Sequence, residues 1–224
     1  MLFDLDETLT DRTRSILQYA ERLRGDFADH LASTTVSTIA EALLDANVRG
    51  YRPREEILSD FSQRLPWRTV PHVSHLRRHW ETGFPLAIVA REGLEETLSA
   101  LHALGMRLGI VTNGEVRFQA PKITQLSIGQ YLSTVVISEA MQAQKPDPRI
   151  FAHALAEIGC RAADTWFVGD DPVNDVLGAA AVGMRAIWLT GVRPWPTDHP
   201  EPQWQIAALG ELVELVHSEP KHAT

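Results

Sequence analysis

The 224-residue chain has little cysteine and no long apolar run, and both shortages limit what it can be. Its one cysteine, Cys160, cannot form an internal disulfide, so the sequence fits a reducing compartment and a cytoplasmic location. Because Cys160 follows the glycine of a predicted helix end, we expect it to be a small buried apolar residue rather than a nucleophile. The chain has no apolar stretch of bilayer-spanning length, and its acidic start lacks the basic and apolar segments of a secretory signal. We therefore expect no membrane partner.

Basic charge is also scarce. A formal net charge of -8 argues against general nucleic-acid binding, which needs a basic face. The charge is unevenly spread, because residues 11–90 carry 11 arginines against 10 acids and the rest of the chain carries a net charge of -9. This contrast indicates a separate, more cationic module. A mixed, solvated helical surface explains most of these arginines equally well, and nothing in the sequence favours a particular oligomeric state.

Helical and strand patterns alternate from Gly93 onward. The leucines of LEETLSALHALG form one helical stripe that ends at Gly105, and RLGIVTNG follows as a buried strand. Further strands are predicted in STVVISEA, TWFVGDD and MRAIWLTG, and further helices in DPRIFAHALAEIG, VNDVLGAAAVG and ALGELVELV. The segment VRFQAPKITQLSIG predicts a less regular helix that Pro121 breaks. With the short apolar start MLF as the first strand, the alternation predicts an α/β fold with a Rossmann-like parallel sheet covered by helices.

The region that follows the first strand has a different pattern. It contains four helical segments with almost no strand signal between them, namely TRSILQYAERL, STIAEALLDA, REEILSDFSQRL and VSHLRRHW. Helices without strands form a small bundle, and this one interrupts the chain between the first strand and the rest of the sheet. We therefore predict a core of residues 1–12 and 90–224, and an inserted all-helical cap of residues 13–89 that packs over one end of the sheet.

Polar residues follow the predicted strands, where an open parallel sheet binds its ligands. These positions are occupied by Asp4 and Asp6, by Thr112, Asn113 and Gly114, by Lys145 before a helix, and by Asp170, Asp171 and Asp175. Carboxylates are hard ligands for a divalent cation, above all Mg²⁺ when phosphate is present. A hydroxyl, backbone N–H groups at a helix start and a lysine suit phosphate oxygens. The sequence therefore predicts one site for Mg²⁺ and a phosphate group.

The two acids at the start of the chain, Asp4 and Asp6, are one residue apart. Neighbouring carboxylates resist ionising together unless a cation or a proton lies between them. A structural explanation, with Asp6 forming a turn and Asp4 capping a strand end, would account for either residue alone. It does not account for the other three polar segments, so we favour a chemical role for the pair.

Four segments, DLDET, TNG, KPDP and GDDPVND, occur in this order with a helical insert after the first. They resemble the four motifs of the haloacid dehalogenase-like hydrolases, in the branch that carries a helical cap after the first motif. The resemblance covers nearly the whole chain and implies a phosphoric monoester hydrolase of the phosphatase type. We expect a Mg²⁺-dependent phosphatase that acts on a small phosphorylated metabolite, of nucleotide or sugar phosphate type, through an aspartyl-phosphate intermediate.

The resemblance also implies a role for each residue that matches a motif. Asp4 would attack phosphorus as the nucleophile, and Asp6 would protonate the leaving oxygen and later deprotonate the attacking water. Thr112, with Asn113 and Gly114 beside it, would bind the phosphoryl oxygens, while Lys145 would steady the nucleophile and the developing charge.

The resemblance assigns the metal to the acids. Asp4, the backbone carbonyl of Asp6 and Asp170 would hold Mg²⁺. Asp175 would support the metal or Lys145 without binding the ion directly. Asp171 would be either an outer acid or only a helix cap.

Other activities are consistent with part of the sequence. Dehalogenases expel halide without a proton and lack the second acid, so Asp6 favours phosphoryl transfer, while a phosphomutase uses the same acid pair and stays open. A phosphonate-cleaving relative would need a cap lysine, and the insert contains none. A non-enzymatic phospho-acceptor switch is about half this length and has no cap. An interaction protein with a decayed site is disfavoured because every catalytic position is filled.

Two positions depart from the family pattern. The start MLF offers only three residues for a first strand, so either the native start lies upstream or the strand is short and the sheet weaker beside Asp4. Glu7 stands where many relatives have glycine, and its side chain either faces the site entrance or is simply solvated.

Two groups of cap residues are further candidates. His72, His75 and His79 can share one helix face, as zinc ligands sometimes do, but no cysteine is near and an ordinary polar surface explains them better. One of these imidazoles could instead face the substrate. The loop NVRGYRPRE offers Arg49, Tyr51 and Arg52 as contacts for an anionic or planar leaving group, or merely joins two helices.

Overall fold

The computed structural model describes residues 1–31, 34–46 and 54–218. The chain divides into two compact units, one formed by Met1–Asp11 with Ala90–Thr224 and the other by Arg12–Val89. These units differ from the predicted core and cap by one residue at the first boundary. In the part of the chain that is described, no helix has the length and apolar character needed to cross a bilayer.

The elements alternate between strand and helix outside the inserted unit. The strands are β1 (Leu2–Phe3), β2 (Thr10–Asp11), β3 (Val89–Ala90), β4 (Leu108–Thr112), β5 (Leu132–Ile137), β6 (Trp166–Gly169), β7 (Arg185–Leu189) and β8 (Trp204–Ile206). The α-helices are α1 (Arg12–Asp26), α2 (Val36–Ala46), α3 (Arg54–Arg64), α4 (Val73–Gly83), α5 (Leu94–Ala103), α6 (Val116–Gln125), α7 (Ser138–Met141), α8 (Pro148–Ile158), α9 (Gly178–Ala181) and α10 (Glu211–Ser218). Single 3₁₀ turns occupy Phe84–Ala87, Gly129–Tyr131 and Ala162–Asp164, and a π-helical segment, Pro172–Leu177, precedes α9.

Six parallel strands form the main sheet, in the order β5-β4-β1-β6-β7-β8. The predicted parallel Rossmann-like core is confirmed. Strand β1 has only two residues, yet it pairs with β4 on one side and β6 on the other. Its side chains alternate between the two faces, so Leu2 joins the apolar cluster on one side and Phe3 the cluster on the other. The sheet therefore carries the residues that follow β1 at its centre.

A sixth strand, β8, was not predicted. It lies parallel to β7 at the edge of the sheet, in the Pro-rich and Trp-rich tail. The Trp204 ring meets Trp166 edge-on, with 5.0 Å between ring centroids, and Trp195 lies against Trp188. Three residues that follow a Pro-rich segment give too short a pattern for a strand prediction, and β8 forms through its pairing with β7.

Helix α6 passes through Pro121, so the predicted break at this proline is wrong. The proline removes one backbone donor near the middle of the helix. The helix is held in place by four buried residues on the same element, Phe118, Gln119, Lys122 and Ile123. Tertiary contacts thus outweigh the local cost of the proline, and two of the four buried residues are polar.

The second unit consists of the four predicted helices α1 to α4. Its interior is aromatic: Trp80 stacks on Phe84 with 4.3 Å between ring centroids, and the buried Tyr19 meets Trp80 edge-on at 4.8 Å. The Tyr19 hydroxyl shares a hydrogen bond of 2.8 Å with Nδ1 of His79. This unit is a small bundle with its own core.

Candidate active site

Asp4 and Lys145 form the centre of a buried charge cluster. Asp4 directly follows β1, and its backbone N–H donates to the carbonyl of Val168 in β6 at 2.9 Å. The Nζ of Lys145 donates to Asp4 Oδ1 and to Asp175 Oδ1, both at 2.6 Å. The Lys145 side chain is only 2% exposed. The structure therefore brings together three residues that are widely separated in the sequence.

The turn after β6 supplies three acids. Asp171 caps the π-helical segment, because its Oδ1 accepts the backbone N–H groups of Val173 and Asn174 at 3.0 Å. Asp175 Oδ2 accepts the backbone N–H of Asp171 at 3.0 Å. A Cβ on Gly169 would lie 2.3 Å from Cβ of Asp175, so only glycine at that position lets Asp175 come this close. The turn is thus built to hold Asp175 against the end of β6.

Three carboxylates converge at one point. One oxygen each of Asp4, Asp170 and Asp175 lies within 4.8 Å of the others, and all three residues are buried. Among the described residues this is the one group of three or more acids, histidines or cysteines with such spacing. Burial raises the pKa of Asp4 and of Asp170 to about 7, and that of Asp175 to about 6, although Lys145 and a nearby arginine oppose the rise. Hard oxygen ligands that repel one another suit a divalent cation.

Lys145 remains a cation in this cluster. Burial by itself would lower the pKa of its ammonium, but the carboxylates of Asp175 and Asp4 raise it by more. The pKa of Lys145 is therefore raised above its ordinary value. Lys145 and Arg193, which contacts Asp170, bring two positive charges to three carboxylates, so negative charge remains for a further cation.

The predicted phosphate-binding turn lies at the end of β4, but two of its groups already have partners. Asn113 clamps the backbone of Lys145, since its Oδ1 accepts the Lys145 N–H at 2.8 Å and its Nδ2 donates to the Lys145 carbonyl at 3.0 Å. The N–H of Gly114 donates to Ser138 Oγ at 2.9 Å. Gly114 has a φ of 147°, which favours glycine. Thr112 is buried, and its hydroxyl lies beside Gln119.

The carboxylate of Asp6 does not join the three-acid group. Lys122 Nζ lies 2.7 Å from each of its oxygens, and Gln119 Nε2 lies 3.0 Å from Asp6 Oδ2. The predicted metal contact of Asp6 is its backbone carbonyl, and that remains a prediction. The sequence analysis did not predict that Lys122 and Gln119 contact Asp6. Their signal was there, since both are polar residues three apart on a helix that also buries Phe118 and Ile123.

Arg193 is a third residue that the sequence did not indicate. It lies in the segment that follows β7, and its Nε donates to Asp170 Oδ2 at 2.7 Å. Asp170 is also held by Thr8: the Asp170 N–H donates to Thr8 Oγ1 at 3.1 Å, and that hydroxyl donates to Asp170 Oδ1 at 3.3 Å. No local pattern marks Arg193, because only the parallel sheet brings its segment beside the turn after β6.

Glu7 has a φ of 65°, in the left-handed region. Glycine adopts this conformation without strain, whereas a residue with a Cβ adopts it rarely. The Glu7 N–H donates to Thr10 Oγ1 at 3.0 Å, and its carbonyl accepts from Arg91. The backbone of the loop between Asp6 and Thr10 is thus held by the side chains of Thr10 and Arg91.

The other candidates lie outside this cluster. His72 accepts the N–H of Ser74 at the start of α4, and His79 contacts Asp26 at 2.9 Å, so both have structural partners. Cys160 is half-buried, which is less than the burial expected of it. The loop candidates lie outside the described residues, namely Arg49, Tyr51 and Arg52.

Comparisons with known proteins agree with this geometry. The profile of a family described as haloacid dehalogenase-like hydrolase matches residues 1–189. The glyceraldehyde 3-phosphate phosphatase of Pyrococcus abyssi is 28% identical over 205 residues, which cover 84% of this chain and 80% of that protein. The phosphoserine phosphatase of Thermus thermophilus is 35% identical over 126 residues, 56% of this chain and 49% of the relative, so that match spans about half its length.

Solved structures share the fold. The magnesium-bound HAD-hydrolase YfnB from Bacillus subtilis has a TM-score of 0.72 at 22% identity, and the match covers 96% of both chains. The L-2-haloacid dehalogenase from Xanthobacter autotrophicus has a TM-score of 0.65 at 18% identity, over 98% of both chains. At these identities the likeness establishes the fold, and the reaction must be argued from the residues.

Proposed function

Since this chain belongs to the haloacid dehalogenase-like hydrolases, we propose that it is a Mg²⁺-dependent phosphatase that hydrolyses a small phosphomonoester through an aspartyl phosphate. The observation that carries the proposal is the buried contact of Lys145 with Asp4, 2.6 Å from Nζ to Oδ1, beside Asp170 and Asp175. A carboxylate held by a buried ammonium and flanked by two further acids suits a nucleophile that attacks a phosphoryl group beside a cation.

The donor set fits magnesium. Asp4 and Asp170 would hold the ion with the backbone carbonyl of Asp6, and Asp175 would support the cluster through Lys145. The raised pKa values of the three acids have burial and mutual repulsion as their causes, and a divalent cation relieves both. Bound Mg²⁺ would neutralise these carboxylates and offset charge on the phosphoryl oxygens.

The reaction would take two displacements. An oxygen of Asp4 attacks phosphorus in line, the ester P–O bond breaks, and Asp6 gives its proton to the departing oxygen. Asp6 then takes a proton from water as that water attacks phosphorus, which breaks the bond to Asp4 and releases inorganic phosphate. Lys145 stays charged throughout and stabilises the negative charge that develops near Asp4, while Thr112 would bind a phosphoryl oxygen.

Asp6 separates this proposal from dehalogenation, the activity named for several structural neighbours. Halide leaves carbon without a proton, whereas an alkoxide leaving group needs one. A second carboxylic acid two residues after the nucleophile, held in place by side-chain contacts, therefore supports phosphoryl transfer.

The substrate class that we propose is a small phosphorylated metabolite. The names of two relatives support this class, because they are a glyceraldehyde 3-phosphate phosphatase and a phosphoserine phosphatase. Nucleotides and sugar phosphates, which the sequence analysis predicts as substrates, remain candidates within this class. The helical unit of residues 12–89 would act as the cap.

The experiment is a panel of phosphomonoesters, with Mg²⁺ or with chelator, assayed for phosphate release by the parent and by Asp4→Asn. The panel contains glyceraldehyde 3-phosphate, phosphoserine, phosphoglycolate, hexose phosphates and nucleoside monophosphates. We expect the parent to release phosphate from at least one ester only with Mg²⁺, and the variant to lose about a thousandfold or more, because nothing replaces the nucleophile. No release from any ester, or full activity of Asp4→Asn, would refute the proposal; isomerisation without release would identify a mutase instead.

A further inference from the structure

We propose that Lys122, together with Gln119, is a positioning residue for Asp6: the two side chains hold its carboxylate in the orientation that proton transfer requires. The inference rests on the proposed function, because it assigns a task to residues around the acid of that reaction. Neither residue belongs to the four sequence motifs. Both come from helix α6, which follows the turn containing Thr112.

The Lys122 ammonium contacts both carboxylate oxygens of Asp6. Lys122 Nζ lies 2.7 Å from Oδ1 and 2.7 Å from Oδ2 of Asp6, so the ammonium faces the carboxylate along its symmetry axis. Such a contact fixes the rotation of the carboxylate as well as its position, since a turn of the group would lengthen one of the two contacts. The Asp6 side chain is itself 39% exposed, so without this contact it could turn toward solvent.

Gln119 joins Asp6 to the predicted phosphate-binding turn. Its Nε2 lies 3.0 Å from Asp6 Oδ2, 2.6 Å from Thr112 Oγ1 and 3.2 Å from the carbonyl of Asn113. One amide group therefore sets the distance between the proton-transfer acid and the hydroxyl that would bind phosphate. Gln119 is 2% exposed and packs beneath Gly114, whose position would not accept a Cβ.

Burying the Lys122 ammonium costs free energy, which indicates that the residue has a specific partner. The residue is 8% exposed, and a lysine that is this buried needs a compensating partner. The chain uses lysine at only three positions, 122, 145 and 221, against 18 arginines. The two lysines in the described part are both buried and both contact an acid of the site, Lys145 at Asp4 and Lys122 at Asp6.

A positioning role and a structural role predict different kinetics. If Lys122 acts through Asp6, its loss affects only the steps in which Asp6 moves a proton. If it only stabilises α6, its loss affects every substrate equally. Alkyl phosphomonoesters need a proton on the leaving oxygen, whereas 2,4-dinitrophenyl phosphate releases a stable anion without one.

The experiment compares these two kinds of ester with Lys122→Met. The alkyl ester is the one that the parent hydrolyses fastest, and kcat/KM is measured because it reports transfer to Asp4. We expect Lys122→Met to lower kcat/KM about tenfold or more for the alkyl ester and less than about threefold for the dinitrophenyl ester, since general acid catalysis is worth roughly 10²–10⁴-fold. Asp6→Asn should show the same selectivity with a larger loss. Lys122→Arg should recover part of the alkyl activity.

The double variant Asp6→Asn/Lys122→Met tests whether Lys122 acts through Asp6. We expect it to be no slower than Asp6→Asn alone, because residues that act as a unit are not additive. The double variant also removes both charges of the ion pair, so it leaves no unpaired carboxylate and provides a second measurement if Lys122→Met folds poorly. Arg117→Met is the matched control, a cation-to-methionine change on an exposed position of the same helix.

The outcomes separate the inference from the proposed function. Equal losses on both esters, or additive losses in the double variant, overturn the positioning role while the phosphatase stands. A parent that hydrolyses no phosphomonoester refutes the function itself. Selective and non-additive losses support the inference.

Discussion

The two units of the molecule differ in the burial of the ion pairs that they contain. In the described part of the helical unit an exposed arginine forms two ion pairs: Arg77 contacts Glu55 and Glu81, with the Arg77 side chain 43% exposed. In the core unit the Lys145 side chain and that of Asp175 are each 2% exposed. Exposed pairs are screened by water and salt, whereas buried charges must be matched by partners. The difference shows that the core holds charge where it costs stability, which is typical of a functional site.

The largest effect is expected from breaking the buried pair with Lys145→Met. This change leaves Asp4 and Asp175 buried without their cation, and removing one partner of a buried pair typically costs about 3–5 kcal/mol. We expect the free energy of unfolding in urea to fall by about that amount and phosphatase activity to be lost. The double variant Lys145→Met/Asp175→Asn is the control and should recover part of the stability. A stability equal to that of the parent would contradict the comparison.

A smaller effect is expected from magnesium, and it depends on pH. Burial raises the pKa of Asp4 and of Asp170 to about 7 and that of Asp175 to about 6, while unfolded aspartate has a pKa near 4. Without metal, the stability that these groups contribute is fully present below about pH 4 and is lost as the pH rises through 6 to 7. Mg²⁺ replaces the protons, so we expect it to raise Tm more at pH 8 than at pH 5.5.

The size of this effect follows from ligand linkage. Saturation at a hundredfold excess over Kd stabilises the folded state by about 2.7 kcal/mol. The control is Asp170→Asn, in which differential scanning calorimetry should find a much smaller Mg²⁺ shift at both pH values. An equal shift in parent and variant would place the ion elsewhere.

The smallest effect is expected from Arg77→Met in the helical unit. It is the same kind of substitution as Lys145→Met, but the arginine is 43% exposed and the side chains of its partners Glu55 and Glu81 are 70% and 22% exposed, so both carboxylates keep access to water. We expect urea unfolding to be unchanged within experimental error and phosphatase activity to be retained. A loss comparable with that of Lys145→Met would show that burial does not distinguish the two units.

The sequence predicted most of the fold, because the spacing of apolar residues distinguishes helices from strands. The leucine stripe before Gly105 lies in α5, and the strands predicted in TWFVGDD and MRAIWLTG are β6 and β7. The failures were at β8 and at Pro121. Strand β8 forms because it pairs with β7, and helix α6 continues through Pro121 because one of its faces is buried.

The site was predicted in part. Asp4, Lys145, Asp170 and Asp175 lie together, because residues after parallel strands share one edge of the sheet, and their catalytic and metal-binding roles remain predictions. Motif position could not show that the Asn113 side chain holds the Lys145 backbone. Lys122, Gln119 and Arg193 were missed because a motif records neighbours in the chain, and these three are neighbours of the acids only in space.

The sequence by itself determined five of the six strands of the main sheet, the order of the polar segments and the identity of the charged groups, since these depend on side-chain period and chemistry. Only the tertiary structure decided that Lys122 pairs with Asp6 and Arg193 with Asp170. The physical reason is that a buried charge is stabilised by whatever group lies within hydrogen-bond distance, and that distance is set by sheet order and helix packing.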